Sequence, residues 1–362
     1  MLSHYPKIPI DPLAFSGMTF RVRYPKILDE VINSNLYNQE IRARLHNLKS
    51  QLDTLVVKRI HENDPLWEVF YADYEEKNLN DLPFFDAEVY LFAYILHLTD
   101  YDRVGTDPFS TIKSQDLEKN QATFDTILLE SKDWDTPDFV LGSLHGNKSD
   151  LSQLKSAEEL SIQLLLDDRP QLLHDFECAT HVDMILDNAG MELFSDLMLV
   201  NHLVDRYGHQ IKLHIKSAPI FVSDVIQSDI DNLLSLLAAH GAKDFADAIT
   251  NKIEQEQIIV QANPFWTSPQ HFSQLPVDLI TPHSLLLSKG DANYRRFFED
   301  RIIPSTQPSA SLIKYLKHPT YCIRTLKSDI QTGLTEVQCI TLDSQEIDWK
   351  VNGTRAVIQM LH

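Results

Sequence analysis

The sequence predicts an α/β protein: a three-layer α/β/α Rossmann-like fold with a mainly parallel sheet and an N-terminal helical domain. Up to about residue 180 the apolar residues recur at helical spacing, and after it short β-type runs alternate with helical runs. Strands separated by helices are typical of βαβ units and a parallel sheet. We therefore expect a helical domain with a linker loop over residues 1–170 and a Rossmann-like domain over residues 171–362.

Periodic apolar residues predict the helices of the first half. A one-sided stripe covers residues 24–36 and continues over residues 37–61. Residues 84–98 (FFDAEVYLFAYILHL) are apolar nearly all round, which indicates a buried central helix. Residues 131–150 are rich in polar residues, Pro, Gly and Asp and predict a long loop, after which residues 156–173 return to a helical pattern.

The second half is predicted to supply the sheet. Short apolar runs with the composition of strands cover residues 182–186, 211–215, 258–261, 284–287, 321–324 and 356–360. Helical patterns separate several of these runs, over residues 192–207, 225–240 and 242–256. In an open sheet of this kind ligands bind beyond the carboxyl ends of the strands, so the residues that follow each run are the candidates for a site.

Charge and composition exclude several classes of protein. The 362 residues include 32 Lys and Arg against 52 Asp and Glu, which gives a formal net charge of −20. The resulting field would repel nucleic acid and anionic membranes, so we expect neither as a partner. The N-terminus lacks the pattern of a secretory signal, and no run reaches the roughly 18 apolar residues of a membrane helix.

The cysteines point to a reducing compartment. Cys178, Cys322 and Cys339 are odd in number and widely spaced, which favours free thiols over a disulfide framework. Together with the missing signal pattern, they predict a cytoplasmic protein, with a nuclear location left open.

The most informative strand end lies within residues 181–197, where an apolar run leads directly into Asp187 and Asn188. Adjacent carboxylate and amide oxygens are ligands that Mg²⁺ and Mn²⁺ accept. Gly190 permits a tight turn, and the helix that opens near Glu192 presents free backbone N–H groups to an anion. The alternative is that these residues only cap the helix.

Polar residues also follow three other predicted strands. Asp224 lies beyond residues 211–215 and before a helix, so it is either a further oxygen ligand or a helix cap. At the third strand end, several polar and charged residues gather at one strand-to-helix turn, which suits an anion site, although Asp291 as a helix cap and Arg295 facing water remain an alternative. At the fourth, a basic cluster favours an anion site over ordinary surface charges because cations are scarce in this chain. The residues at these two ends are Lys289, Gly290, Asp291, Asn293, Tyr294 and Arg295, and then Arg324, Thr325 and Lys327.

Taken together, these residues suit phosphoryl chemistry, because a divalent ion and fixed cations neutralise the charge that develops on a transferred phosphoryl group. A local positive pocket would also hold an anionic ester within a negatively charged protein. The sequence contains no P-loop motif, no G-x-G-x-x-G fingerprint and no G-x-S-x-G nucleophile elbow. The Gly-rich turn usual for bound S-adenosylmethionine is also missing.

Several separated motifs carry a family resemblance over about residues 20–360. They are Arg23-Tyr24-Pro25-Lys26-Ile27-Leu28, Ser143-Leu144-x-Gly146-Asn147-Lys148-x-Asp150-Leu151-Ser152, Asp187-Asn188-Ala189-Gly190-x-Glu192 with Asp196, Phe221-Val222-Ser223-Asp224, Pro264-Phe265-Trp266-Thr267, Lys289-Gly290-Asp291-x-Asn293-Tyr294-Arg295 and Arg324-Thr325-x-Lys327. In this order they resemble the damage-control phosphatase family. The last motif is similar to the R-T-x-K signature of its eukaryotic branch of sugar-phosphate phosphatases, also described as acidic-residue methyltransferases.

The resemblance implies an α/β/α fold with an added N-terminal helical region and a divalent metal, commonly Mn²⁺, Co²⁺ or Ni²⁺, with Mg²⁺ as a further candidate. It implies Asp187, Asn188 and Asp224 as metal ligands, and Asp187 and Asp224 are also the catalytic candidates. The residues implied to contact a phosphosugar are Glu192, Asp291, Asn293, Tyr294, Arg295 and Lys327. One segment departs from the family, because this chain has EVYLFAYI from Glu88 onward where the family often has E-x-Y-x-Y-R-R-I.

These observations predict a metal-dependent phosphomonoester hydrolase for small phosphate esters, with fructose 1-phosphate and fructose 6-phosphate as expected substrates. The nucleophile stays open: Asp224 or Glu192 assists proton transfer from water, or an Asp attacks directly. Two alternatives remain, a protein carboxyl (glutamate) methyltransferase that uses S-adenosylmethionine and a non-enzymatic acidic scaffold. The expected partner is a small phosphorylated metabolite, and protein partners stay open.

Overall fold

The computed structural model of the chain describes residues 2–34, 36–146 and 162–362, without the side chain of residue 145. At its centre lies a seven-stranded sheet with the strand order β1-β7-β6-β5-β2-β3-β4. Neighbouring strands are parallel except for β6 and β7, so the prediction of a mainly parallel sheet is confirmed. The strands are Gln163–Asp167 (β1), His181–Ile185 (β2), Gln210–Lys216 (β3), Ile258–Asn263 (β4), Leu285–Lys289 (β5), Thr320–Thr325 (β6) and Arg355–Met360 (β7).

Helices precede the sheet in the chain and also connect its strands. Those that precede it are Phe15–Met18 (α1), Tyr24–Asn33 (α2), Gln39–Ser50 (α3), Glu68–Tyr74 (α4), Phe84–Leu98 (α5), Tyr101–Val104 (α6), Ser110–Asn120 (α7), Phe124–Glu130 (α8) and Thr136–His145 (α9). Those among the strands are Arg169–Cys178 (α10), Met191–Tyr207 (α11), Gln227–Ala239 (α12), Lys243–Glu254 (α13), Asp291–Phe297 (α14), Ser309–Leu312 (α15) and Glu336–Gln345 (α16).

Alternate side chains of the strands pack into two separate hydrophobic clusters, which is what a three-layer fold requires. In β5, Leu286 belongs to a cluster shared with α2–α5, whereas Leu285 and Leu287 belong to a cluster shared with α9–α13. In β6, Cys322 and Ile323 are divided in the same way. The predicted three-layer α/β/α class is therefore confirmed.

Helix α5 lies at the centre of the N-terminal region and has the predicted bounds, Phe84–Leu98. Its aromatic residues share one hydrophobic cluster with Tyr294 and Phe297 of α14. Phe85 N also donates a hydrogen bond of 3.0 Å to Asp300 Oδ2, just beyond α14. This cluster extends across the predicted division between residues 1–170 and 171–362, and that division stays a prediction.

The strands that the sequence predicts all lie in the sheet, with small differences at their ends. Three helices predicted between them are also confirmed as α11, α12 and α13. These elements were predictable because their apolar runs are short, buried and separated by clear helical periods.

The predicted loop at residues 131–150 is wrong over much of its length, because Thr136–His145 form helix α9. Asp135 accepts a hydrogen bond from Asp138 N, Asp138 closes a capping box, and Pro137 occupies the first turn. Pro and Asp are favoured at helix starts as well as in loops, so here the same composition begins a helix. The motif residues 147–150 lie outside the described residues.

Two other predicted helices need correction. Residues 163–167 lie in the predicted helix 156–173 but form strand β1, paired in parallel with β7, because the short run QLLLD meets a free sheet edge. The end of that prediction, residues 169–173, does lie in a helix, α10, and residues 156–161 lie outside the described residues. The predicted helix 37–61 ends early: α3 stops at Ser50, a single 3₁₀ turn covers Leu52–Thr54, and the backbone of Val57 then pairs with Lys77.

No helix among the described residues is both long enough and apolar enough to cross a membrane.

The cysteines Cys178, Cys322 and Cys339 form no disulfide, as the sequence predicts. Cys322 is fully buried in β6, where burial raises the pKa of its thiol to about 12.

Candidate active site

A cavity of about 180 Å³ lies at the edge of the sheet where the parallel strands end. It is formed by residues that follow β2, β3, β5 and β6 and by side chains of the N-terminal helices. Parallel strands bring their carboxyl ends to one edge, which is why motifs far apart in the sequence meet here. The predicted site residues in its wall are Asp187, Asn188, Glu192, Asp224, Asp291, Arg295 and Lys327.

The turn after β2 and the loop after β3 are joined through their main chains. Ala189 N donates a hydrogen bond of 2.7 Å to Ser223 O, and Asn188 and Asp224 form an isolated antiparallel bridge. The three predicted metal ligands are therefore held side by side by backbone contacts, although 36 positions of sequence separate the last two.

The loop that carries Asp224 contains two residues in the left-handed region of backbone space. Phe221 has φ 53° and Val222 has φ 71°, which is costly for a bulky and for a β-branched residue. The Phe221 ring packs 5.8 Å from Phe85 and 5.5 Å from Phe92, between ring centroids, and so ties the loop to α5. Strain of this kind persists only where surrounding contacts hold it, and it is found most often at functional sites.

The carboxylates of the site are crowded and buried. Asp187 Oδ1 accepts no hydrogen bond from any described residue, and Asp224 Oδ2 has only an ion pair with Lys216 Nζ at 3.2 Å. Burial first, and then the charges of Asp224 and Glu192, raise the pKa of Asp187 well above its usual range. Burial also raises the pKa of Asp224, against the opposing charge of Lys216. The Asp187 carboxylate is therefore buried close to two other acidic groups, and one of its oxygens has no hydrogen-bond partner among the described residues.

These groups fit a hard divalent cation, which prefers carboxylate and amide oxygens. In the part of the chain that the structure describes, no three His, Cys, Asp or Glu side chains converge on one point as a metal site. A third side-chain ligand would thus be the amide of Asn188. Its Oδ1 accepts from Ser223 Oγ and keeps a second lone pair, while its Nδ2 donates to Asp187 Oδ2 and Glu192 Oε2 at 2.7 and 2.8 Å.

Glycine is required where β5 leaves the sheet. Gly290 has φ 79° and ψ 170°, a conformation open essentially to glycine alone. A Cβ atom built on Gly290 would lie 1.9 Å from Asp187 Oδ2. The missing side chain therefore leaves the space that the Asp187 carboxylate occupies.

Several cations of the cavity wall are paired inside the protein. Lys289, Arg295 and Arg324 are each more than nine-tenths buried, and each contacts at least one carboxylate. The charge of each of these cations is therefore already largely balanced inside the protein. The pairs are Lys289 with Asp196, Arg295 with Glu88 and Asp300, and Arg324 with Asp291.

Two other cations of the cavity wall differ from these three in their exposure and in their pairing. Lys327 and Arg23 are exposed, and neither forms an ion pair with a carboxylate among the described residues. The charge of Lys327 nevertheless lies near enough to Asp187 to oppose the rise in its pKa. Lys327 is held by its backbone, since its N–H donates to Asp291 Oδ1 at 3.1 Å.

Two predicted substrate contacts lie outside the cavity wall. Asn293 is buried, and its Nδ2 donates to the backbone oxygens of Leu186 and Lys289 at 3.3 and 2.8 Å. Tyr294 is buried beneath the Arg324 guanidinium, 3.6 Å from its ring centroid. Both side chains therefore contact the ends of the strands and do not line the cavity.

Sequence reasoning gave no role to several residues that complete the wall. Tyr24 and Glu88 contribute a buried hydrogen-bonded pair, and Phe15 and Phe92 contribute aromatic surface. Tyr24 lies in the resemblance motif 23–28, and Glu88 in the segment that departs from the family. Lys216 begins the segment before Asp224, but a lysine at a strand end gives no sign that it will pair with that carboxylate.

The fold and site define a class: a Rossmann-like α/β protein with a carboxylate and amide cluster and nearby cations at the carboxyl edge of its sheet. The model of the "Damage-control phosphatase ARMT1-like domain" family matches residues 19–340. The chain belongs to the damage-control phosphatase family, which confirms the resemblance read from its motifs.

Individual relatives agree with this placement. A Xenopus laevis protein named "Damage-control phosphatase ARMT1" is 32% identical, with 96% of this chain and 96% of that protein aligned. A Danio rerio protein of the same name is also 32% identical, over 61% of this chain and 54% of that protein. A crystal structure described as a "duf89 family protein" from Pyrococcus horikoshii covers 96% of this chain and 98% of its own, with a TM-score of 0.51. At 15% identity that last likeness concerns the fold alone.

Proposed function

We propose that the protein is a divalent-metal-dependent phosphatase that hydrolyses small phosphate esters, with sugar phosphates such as fructose 1-phosphate or fructose 6-phosphate as substrates. The observation that carries the proposal is the pair of buried carboxylates, Asp187 and Asp224, in the wall of a cavity that also presents Lys327, a cation with no carboxylate partner among the described residues. Membership of the damage-control phosphatase family supports the same reaction.

Asp187, Asn188 and Asp224 are the residues that would hold the metal, and Mn²⁺, Co²⁺, Ni²⁺ and Mg²⁺ are the candidates. A divalent ion bound there would polarise the phosphoryl oxygens of an ester and neutralise developing charge. The Asp187 carboxylate supports this assignment, since its buried Oδ1 accepts no hydrogen bond from any described residue and a buried polar oxygen without a partner is costly.

The other residues of the wall would bind and orient the substrate. Lys327 can donate charge-assisted hydrogen bonds to phosphate oxygens, because no carboxylate among the described residues occupies its ammonium group. Arg23 offers a second cation from the N-terminal helical region. The polar pair of Tyr24 and Glu88 suits hydroxyl groups, and a cavity of about 180 Å³ suits a small molecule rather than a polymer.

The proposal is tested by replacing one predicted ligand and following phosphate release. We expect Asp187→Ala to lower metal-dependent release from fructose 1-phosphate and fructose 6-phosphate at least about a hundredfold, because lost Lewis-acid stabilisation amounts to several kcal/mol. The assay is run with Mn²⁺, Co²⁺, Ni²⁺ and Mg²⁺ in turn, across a panel of phosphate esters.

The matched control is Asp278→Ala, which removes the same charge from an exposed position outside the cavity. We expect this control to keep the activity of the unaltered chain. Full activity in Asp187→Ala would reject the ligand assignment, and an inert wild-type chain across all metals and esters would reject the phosphatase proposal and favour the acidic scaffold.

The methyltransferase alternative has no comparable support in the site. The turn after β2 contains a single glycine, Gly190, and its first two positions carry the predicted ligands Asp187 and Asn188. Calorimetry with S-adenosylmethionine separates the two proposals: binding of this compound together with methyl transfer to carboxyl groups would favour the alternative.

A further inference from the structure

We propose that helix α7 positions the two loops of the metal site from outside the cavity, through Lys113 and Asp116. Neither side chain lines the cavity, and each reaches a different loop. Lys113 contacts the loop that carries Asp224, and Asp116 contacts the turn that follows Asp187. The inference rests on the proposed metal site and adds residues that no family motif identified above contains.

The contact of Lys113 is part of a buried ion network. Its ammonium donates to Asp224 O at 2.9 Å and to Asp229 Oδ2 at 2.7 Å, and it lies 3.0 Å from Asp107 Oδ2. The side chain is only 4% exposed. A buried ammonium with three oxygen partners has one favoured position, so it fixes the main chain of Asp224 relative to α7.

The contact of Asp116 lies at the first residue of α11. Its Oδ2 accepts a hydrogen bond of 2.9 Å from Met191 N, a backbone donor without a partner inside the helix. The preceding Gly190 has φ 80°, and a Cβ there would lie 2.3 Å from the same oxygen. The Asp116 carboxylate thus holds the end of the turn that carries Asp187 and Asn188, and the missing side chain of Gly190 allows this close contact.

Strain in the loop that carries Asp224 is one reason that outside contacts matter. Phe221 and Val222 hold left-handed backbone conformations next to Asp224, and released loops would relax toward conformations that bulky residues prefer. Relaxation of either loop would separate the predicted ligands, whose spacing sets the metal affinity. Loss of either contact from α7 should therefore weaken metal binding while the rest of the fold remains.

The test compares Mn²⁺ binding by the full chain and by three variants of α7, using calorimetry without substrate. We expect Asp116→Ala to weaken the Mn²⁺ dissociation constant about tenfold or more, as the loss of one charge-assisted hydrogen bond predicts. We expect Asp116→Asn to keep near wild-type affinity, because its amide oxygen can still accept from Met191 N. Glu118→Ala removes the same charge from an exposed residue of α7 that makes no ion pair among the described residues, and we expect no change.

Each outcome decides between roles. Wild-type affinity in Asp116→Ala, or an equal loss in Asp116→Asn, would overturn the positioning role, because the hydrogen bond would then not control the metal. A lower melting temperature in chelator with unchanged Mn²⁺ affinity would show a purely structural helix cap and would also overturn it. Absence of Mn²⁺ binding by the wild-type chain would overturn the proposed function and this inference together.

The Lys113 contact is tested with Lys113→Met, whose folding is first checked by circular dichroism because two buried carboxylates lose their partner. We expect the folded variant to bind Mn²⁺ about tenfold more weakly than the wild-type chain. Unchanged affinity in the folded variant would overturn the Lys113 part of the proposal. If the variant does not fold, the Asp116 series alone decides the proposal.

Discussion

At the scale of single residues, two glycines shape the site because neither has a side chain. Gly290 leaves the space that the Asp187 carboxylate occupies, and no other residue type combines its backbone conformation with that space. Gly190 has the same role toward Asp116. Only ten glycines occur in the chain, and these two lie directly at strand-to-helix turns of the site.

We expect Gly290→Ala to abolish tight metal binding, because the new methyl group must displace the Asp187 carboxylate. The free energy of unfolding should also fall by about 1–3 kcal/mol from backbone strain. The measurements are Mn²⁺ titration by calorimetry and urea denaturation in chelator.

Gly208→Ala is the control for this change. Gly208 also has a positive φ, 72°, but a Cβ there would meet no atom within 4 Å. We expect a smaller loss of stability, because the left-handed helical conformation of Gly208 is more accessible to Ala, and we expect unaltered Mn²⁺ affinity. Equal Mn²⁺ affinities in the two variants would contradict the steric explanation.

At the scale of elements, buried ion pairs fix the helices to the ends of the strands. Lys289, the last residue of β5, donates to Asp196 Oδ1 of α11 at 2.7 Å, and Ser143 of α9 donates to the same oxygen at 2.6 Å. Burial raises the pKa of Asp196 to about 6, against the charge of Lys289. The Asp196 carboxylate therefore joins β5, α9 and α11 through these two hydrogen bonds.

We expect Lys289→Met to lower the free energy of unfolding by about 3–5 kcal/mol, because it leaves the Asp196 carboxylate buried without its cation. The double variant Lys289→Met with Asp196→Asn should recover a large part of this loss, since the carboxylate nearest to the lost ammonium group is then replaced by a neutral amide. Urea denaturation measures both. A loss below about 1 kcal/mol in the single variant would show that the pair contributes little to stability.

At the scale of the whole molecule, the helical region and the sheet share one interior. The largest hydrophobic cluster contains α2–α5 together with Leu286 of β5 and Tyr294 of α14. The buried Arg295 guanidinium pairs with Glu88 of α5, which lies 207 positions earlier in the sequence. It also pairs with Asp300. Residues from both parts also form the cavity wall.

We expect the metal-free chain to unfold in a single cooperative transition, because neither part can expose this shared cluster without losing its own core. Differential scanning calorimetry in chelator measures this directly, with agreement between calorimetric and van't Hoff enthalpies as the criterion. Two resolved transitions would contradict it and would favour the division into residues 1–170 and 171–362.

Much of the fold was predictable because its signals are local. The bounds of α5 and the positions of β2–β7 follow from apolar runs that a helix or strand buries by itself. Two of the three misread segments carry ambiguous signals: Pro137 and Asp138 suit a loop as well as a helix start, and the run of β1 is too short to show a period.

The meeting of the candidate site residues at one edge of the sheet was predictable at a coarser level. Asp187, Asn188 and Asp224 follow strands, and parallel topology alone brings them to one edge. Lys113 and Asp116 could not be found in this way. Both residues lie on α7, and the sequence of that helix does not show which distant loops it will contact.

By itself, the sequence determined the fold class, the family and the set of polar residues at the carboxyl edge of the sheet, since these follow from periodicity and from the order of motifs. Only the tertiary structure decided which cations remain available. It pairs Arg295 and Arg324 with buried carboxylates and leaves Lys327 and Arg23 without such partners among the described residues. The physical reason is that the free energy of a charge depends on its burial and its nearest opposite charge, and in this protein those partners come from distant parts of the chain.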